Sequence, residues 1–126
     1  MPREVIHTED APSSPYYAQA VKAGNTVYVA GTTGHDPRTH ELAGGIEEQT
    51  RQALANCGAI LEAAGGDLTD VVDAHVLLLQ PEDAPACNDA FMAFFAEDPP
   101  ARSVGKLGVR RDGILVSIKM TAVLDD

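Results

Sequence analysis

Residues Ile46 to Leu79 read IEEQTRQALANCGAILEAAGGDLTDVVDAHVLLL, and the hydrophobic period changes once inside this stretch. Up to Ala64, the apolar residues Ile46, Ala53, Leu54, Cys57, Ile60, Leu61 and Ala64 recur at offsets of three, four and seven. Glu47, Glu48, Arg51, Gln52 and Asn56 fall on the other face. That spacing predicts an amphipathic helix, with its two glutamates at the positive end of the dipole. Gly65-Gly66 stops it. Val71 to Leu79 is then nearly continuous in apolar character, as expected of a strand lying centrally in a sheet.

Upstream, an irregular start with Pro12 and Pro15 leads to an extended segment at Tyr17 to Lys22. Gly24-Asn25 makes a turn, and Thr26 to Ala30 is β-branched and aromatic, as strands are. Gly31 to Gly34 loosens the chain, and His35 to Glu41 reads as a proline-containing turn. Downstream, Pro81 to Asp83 opens a second helix, with Pro85 tolerated in its first turn. Cys87, Ala90, Phe91, Phe94 and Phe95 give that helix an apolar stripe suited to core packing, and Pro99-Pro100 ends it.

Ala101 to Val109 is a further strand with Gly105 inside it, and Arg110 to Gly113 a turn. In the final strand, Ile114 to Leu124, the residues Ile114, Val116, Ile118, Met120 and Ala122 point one way. Leu115, Ser117, Lys119, Thr121 and Val123 point the other way. These elements predict an α+β domain with two helices packed on one face of a mixed sheet. The opposite face is too apolar to stay in water, which predicts self-association around a symmetry axis.

The chain has 126 residues, suited to one domain over 1–126, and its 9 basic and 19 acidic residues leave a net charge of −10. So acidic a chain is a poor partner for a nucleic-acid backbone or an anionic membrane surface. No apolar targeting segment is expected at its start, and no stretch reaches the ~18 apolar residues of a membrane span. The expected location is the cytoplasm. Cys57 and Cys87 form no disulfide framework and read as small buried hydrophobes.

His7, His35, His40 and His75 form no metal-binding pattern, although His35 and His40 bracket the proline turn closely enough to meet. His75 reads as a hydrogen-bonded strand histidine. Neither a metal nor a cofactor is expected. Arg102, just after the rigid Pro99-Pro100 pair, is a fixed fork suited to gripping a carboxylate with two hydrogen bonds.

Taken in order, several segments resemble the RidA (YjgF, L-PSP) family across most of the chain. Residues 15 to 21, Pro-Tyr-Tyr-Ala-Gln-Ala-Val, resemble its GPYSQAV segment, and Asn25 to Gly31 resembles its strand N-x-V-F-V-S-G. His35 to Leu42 is similar to its DPxTGEL turn, and Glu47 to Asn56 to its helix EAQTRQALEN. Asn88 to Phe95 resembles N-x-x-Y-x-x-FF, and Pro100-Ala101-Arg102-Ser103 its PARS signature. The resemblance implies a chorismate-mutase-like fold, assembled as a homotrimer with clefts between subunits. It implies hydrolysis of 2-iminoacids or enamines, such as 2-iminopropanoate, to 2-oxoacids and ammonia. By the same resemblance Arg102 grips the substrate carboxylate, backbone groups at Gly31 and Val104 line the reacting centre, and Tyr17 and Asn88 shape the pocket.

One departure stands out. Deaminase members carry I-E-I-E-A-I-A in the last strand, where this chain has Val116-Ser117-Ile118-Lys119-Met120-Thr121-Ala122. Ser117 stands where the water-handling glutamate would be, Lys119 takes the second glutamate's place, and Val104 replaces a common cysteine. Lys119 is then a base, a clamp for a second anionic group, or an interface cation. Three readings follow: an imine deaminase using Arg102 and Ser117, a different reaction on a small carboxylate, or a non-catalytic carboxylate binder.

Overall fold

In a computed structural model that describes residues 2–109 and 111–125, six strands form one sheet in the order β1-β2-β3-β6-β4-β5. They are β1 (Arg3–Ile6), β2 (Ala20–Ala23), β3 (Thr26–Thr32), β4 (Val71–Leu78), β5 (Ala101–Lys106) and β6 (Val116–Val123), with helices α1 (Gly45–Ala63) and α2 (Ala84–Phe94) between them. β4 and β5 are parallel and every other pairing is antiparallel, so the sheet is mixed. A parallel pair needs a crossover, and α2 supplies it. β3 and β4 flank β6 and run alike, so α1 is a second crossover moving the same way across the sheet. Two right-handed crossovers in one direction place both helices on the same face.

The core lies in that layer. Val27, Val29, Ala74, Val76, Val116, Ile118, Met120 and Ala122 from the sheet meet Leu54, Cys57, Ile60 and Leu61 of α1 and Cys87 and Phe91 of α2. β6 alternates strictly between buried and accessible residues, as its pattern predicted. α1 closes as read from Gly65-Gly66. Gly65 takes φ 96°, its N–H donates to the Glu62 carbonyl, and the Gly66 N–H donates to that of Leu61. This is the Schellman arrangement that glycine permits.

Several expectations are corrected. β1 was not foreseen, because three of its four residues are exposed and leave no alternation to read. The extended segment at 17–22 becomes a strand only from Ala20, and the 101–109 strand ends at Lys106. The last strand starts at Val116, because Ile114 and Leu115 turn their N–H groups to the Arg111 carbonyl and the Gln49 side chain instead of a ladder. α2 ends at Phe94, where Phe95 leaves helical geometry before the prolines are reached. Of the 110–113 turn, Arg110 lies outside the described residues. Asn56, placed on the polar face of α1 by its type, is buried, as are Gln49 and Thr50.

Candidate functional site

The sheet face away from the helices is open. It carries Ser117 and Lys119 on β6, Asp73, His75 and Leu77 on β4, and Tyr28 on β3. An irregularity in β3 shapes it. Val29 pairs with Met120 and Thr32 with Ile118, so Ala30 and Gly31 together oppose Lys119 in a bulge. A side chain at Gly31 would put its Cβ 3.1 Å from Ser117 Oγ. Having none, Gly31 leaves both its backbone and that hydroxyl open.

Tyr17 borders two hollows here. One, of about 680 Å³, is shared with Tyr28, Ala30 and Lys119 on the open face. The other, of about 540 Å³, lies between the N-terminal segment and the 33–40 turn, and includes Gly31, His7, His35, His40 and Arg111. Buried side chains pin its walls. Gln19 accepts from the Thr8 N–H at 2.8 Å and donates to the Ala11 and Pro12 carbonyls at 3.0 and 2.8 Å. Asn56 donates to the Thr33 and His35 carbonyls at 3.0 and 2.9 Å, and Gln49 to that of Gly113 at 2.8 Å. Burial, with Arg111 and His40 nearby, pushes the His35 imidazole below its ordinary value. His35 and His40 do share a hollow, as their spacing suggested. Among the described residues no group of three or more His, Cys, Asp or Glu is placed to hold a metal ion.

Arg102 sits elsewhere. On β5 it pairs with Ala74, whose side chain faces the helices, so Arg102 takes that side too, at the sheet edge. Its guanidinium lies over the Phe91 ring, 4.9 Å from the centroid, a cation–π contact that fixes the fork while leaving it exposed. Asn88 stands one turn before Phe91 on α2, and Val104 follows two residues after Arg102 on the same side. The sequence reading missed this platform, since it weighed the phenylalanines as core packing or, for one ring, ligand stacking, and not as a support for Arg102. Phe91 is both core and support, being buried and also packing on Phe95 at 4.7 Å between centroids.

The expected residues therefore form two groups. Tyr17, Gly31, Ser117 and Lys119 gather on the open face and its rim; Arg102, Val104 and Asn88 gather at the β5–α2 edge. Arg102 is level with Met120, two strands away and three residues from Ser117 along β6. With strands about 4.8 Å apart and about 3.3 Å of rise per residue, the two backbones are roughly 14 Å apart, and the side chains leave opposite faces. Burial pushes the Cys57 thiol up to about 12 and raises that of Cys87, away from the reactive thiolate form. Among the described residues no helix is long and apolar enough to cross a membrane.

Residues 8–124 match the family model described as endoribonuclease L-PSP. A RutC family protein of Pyrococcus horikoshii is 42% identical over 123 residues, covering 95% of this chain and 97% of its own. A 2-iminobutanoate/2-iminopropanoate deaminase of Capra hircus is 41% identical over 123 residues, covering 96% of this chain and 90% of its own. The crystal structure of RidA from an Antarctic Psychrobacter superposes with TM-score 0.91 at 40% identity, over 96% of this chain and 99% of that one.

Proposed function

Given that the chain belongs to the RidA/YjgF (L-PSP) family, we propose that it hydrolyses 2-iminoacids and their enamine tautomers to 2-oxoacids and ammonia. The observation that carries this reading is Arg102, an exposed guanidinium held in place over Phe91. Relatives at about 40% identity over nearly the whole chain bear the name 2-iminobutanoate/2-iminopropanoate deaminase.

Arg102 takes the carboxylate in a two-pronged hydrogen bond. The Gly31 bulge offers backbone groups to the imine, and Ser117 holds the attacking water. Water oxygen adds to the imine carbon as its proton passes to nitrogen; the carbinolamine then expels ammonia and leaves the 2-oxoacid. Orientation supplies most of the gain, because such imines already hydrolyse in water. A small iminoacid cannot span roughly 14 Å between opposite faces of one sheet. The complete site is therefore composite, with Arg102, Val104 and Asn88 from one chain meeting Tyr17, Gly31 and Ser117 of another. A homotrimer of the chorismate-mutase-like kind, with clefts between subunits, provides this and covers Tyr28, Leu77 and Val123, which are exposed on the open face. We place it in the cytoplasm, where two free, buried cysteines stay reduced.

Ammonia release from freshly generated 2-iminopropanoate tests the proposal. Wild type accelerates it and Arg102→Ala does not, at unchanged assembly size; equal acceleration by both would refute it. Ser117 in place of a carboxylate supports a second reading, another reaction on a small carboxylate or carboxylate binding alone. That reading takes over if a 2-oxoacid binds saturably, Arg102 is needed, and no imine turns over. A net charge of −10 speaks against an RNA substrate.

A further inference from the structure

We propose that the hollow between the N-terminal segment and the 33–40 turn is a subsite for a second carboxylate, so that the chain favours 2-iminoacids whose side chain ends in one. This rests on the imine-hydrolysing site proposed above and names its substrate class. In such an iminoacid the side chain leaves the reacting carbon on the side away from the α-carboxylate. With that carboxylate on the Arg102 of a neighbouring chain and the imine at Gly31, the side chain points into the hollow, which Gly31 and Tyr17 also line. The walls of the hollow come from a single chain, so it opens on the cleft without drawing on the sheet face that assembly covers.

Three buried amides set those walls from inside. Gln19 ties down the N-terminal segment, and Asn56 of α1 holds the Thr33 and His35 carbonyls. Gln49, also on α1, donates to the Gly113 carbonyl and accepts from the Leu115 N–H at 2.9 Å. The Ile114 N–H meets the Arg111 carbonyl at 3.1 Å, so the segment carrying Arg111 is anchored as well. A hollow of about 540 Å³ has the size of a small-molecule site, and fixed walls spare a ligand the cost of ordering them.

The charge gathered there runs against that of the chain. At a net charge of −10, the hollow still collects Arg111 and three of the four histidines, His7, His35 and His40. Glu9, the carboxylate on its lining, is taken up by His7 Nε2 at 2.8 Å. Arg111 forms no ion pair among the described residues. Burial first, then the charges of Arg111 and His40, hold the His35 imidazole below its ordinary value, so these three groups are electrostatic neighbours. A carboxylate among them relieves that repulsion. Thr33 Oγ1 lies 2.7 Å from His35 Nδ1. With the hydroxyl donating, the neutral ring keeps its proton on Nε2, a donor for an anion. His40 takes φ 64°, a left-handed conformation that glycine adopts freely and a side chain does not. Strain kept at the rim of a cationic hollow points to use of the imidazole.

The test gives the full-length protein freshly generated 2-iminobutanoate and 2-iminoglutarate in turn and reads 2-oxoacid release. Wild type should show the higher kcat/KM on the dicarboxylate. Arg111→Ala should lower that value about 10- to 100-fold, mainly through KM, the loss of a hydrogen-bonded charge, and leave 2-iminobutanoate unchanged. His40→Gly should weaken the dicarboxylate in the same sense at an unchanged or higher urea midpoint, because glycine relieves the strained φ. An equal fall on both imines in Arg111→Ala, no preference for the dicarboxylate in wild type, or a preference that survives Arg111→Ala would overturn the proposal. If wild type hydrolyses neither imine, the imine reading fails by itself and calorimetry decides the subsite. Tighter binding of 2-oxoglutarate than of 2-oxobutanoate, erased by Arg111→Ala, then sustains it, and equal binding of the two overturns it.

Discussion

Replacing Asn56 by leucine tests whether the wall of the smaller hollow is held by α1. Asn56 is 1% exposed, and its amide donates to the carbonyls of Thr33 and His35. Leucine keeps the approximate shape, leaves no room for water, and strands both acceptors. Each stranded acceptor costs about 1–3 kcal/mol, so the pair costs about 2–6 kcal/mol. Burying the more apolar side chain returns about 1 kcal/mol. The net expectation is about 3 kcal/mol, or roughly 12 °C in Tm for a domain of this size. Urea unfolding at fixed protein concentration measures it, since self-association would otherwise shift the midpoint. Gln52→Leu is the control. Gln52 is half-buried and donates at 2.9 Å to Asn56 Oδ1, so its loss should cost under about 1 kcal/mol. Amide exchange in residues 33–40 should quicken in Asn56→Leu more than in the sheet. A loss below about 1 kcal/mol in Asn56→Leu would refute the reasoning, because it would mean that the two carbonyls had found other partners.

Three further outcomes follow from the same geometry. Gly31→Ala should leave stability within about 1 kcal/mol, because the half-buried Ser117 hydroxyl 3.1 Å from the new Cβ can rotate away; imine hydrolysis measured beside urea unfolding should fall at least about 10-fold, and full activity would remove Gly31 from the site. Cys57 binds its proton more tightly folded, at about 12, than at its ordinary 9.0, so between those values the folded state holds more protons and stability falls as pH rises. The fall approaches about 1.4 kcal/mol per pH unit and should vanish in Cys57→Ala; an identical slope in that variant would contradict it. Leu77→Glu, a charge on the open face at a residue 37% exposed, should split the assembly into single chains in sedimentation and abolish imine hydrolysis with it, whereas an intact, active oligomer would place the interface elsewhere.

Periodicity alone identified α1, β3, β4 and β6, because each buries one face or stripe and must repeat its apolar residues accordingly. It missed β1, which buries only Ile6, and it set the last strand two residues too early, because Ile114 is buried without being in the ladder. Residue type misplaced Asn56, since polarity predicts exposure only when no carbonyl waits in the interior to be satisfied. Arg102, Gly31 and Ser117 could be named from motifs, but Arg102 was found to lie on the opposite face from Ser117 only once the register of β4 with β5 and β6 was known.

The sequence by itself determined both helices and most of the strands, the side of β6 that faces the helices, the family resemblance and the loss of a carboxylate at Ser117, all of which depend on residues near one another in the chain. Tertiary structure alone decided the partners across strands: Arg102 over Phe91, Ser117 against Gly31, and Ser103 opposite His75. The physical reason is register. A slip of one residue, or one bulge such as that at Ala30 and Gly31, moves a side chain to the other face of the sheet, and no local pattern of residues carries that information.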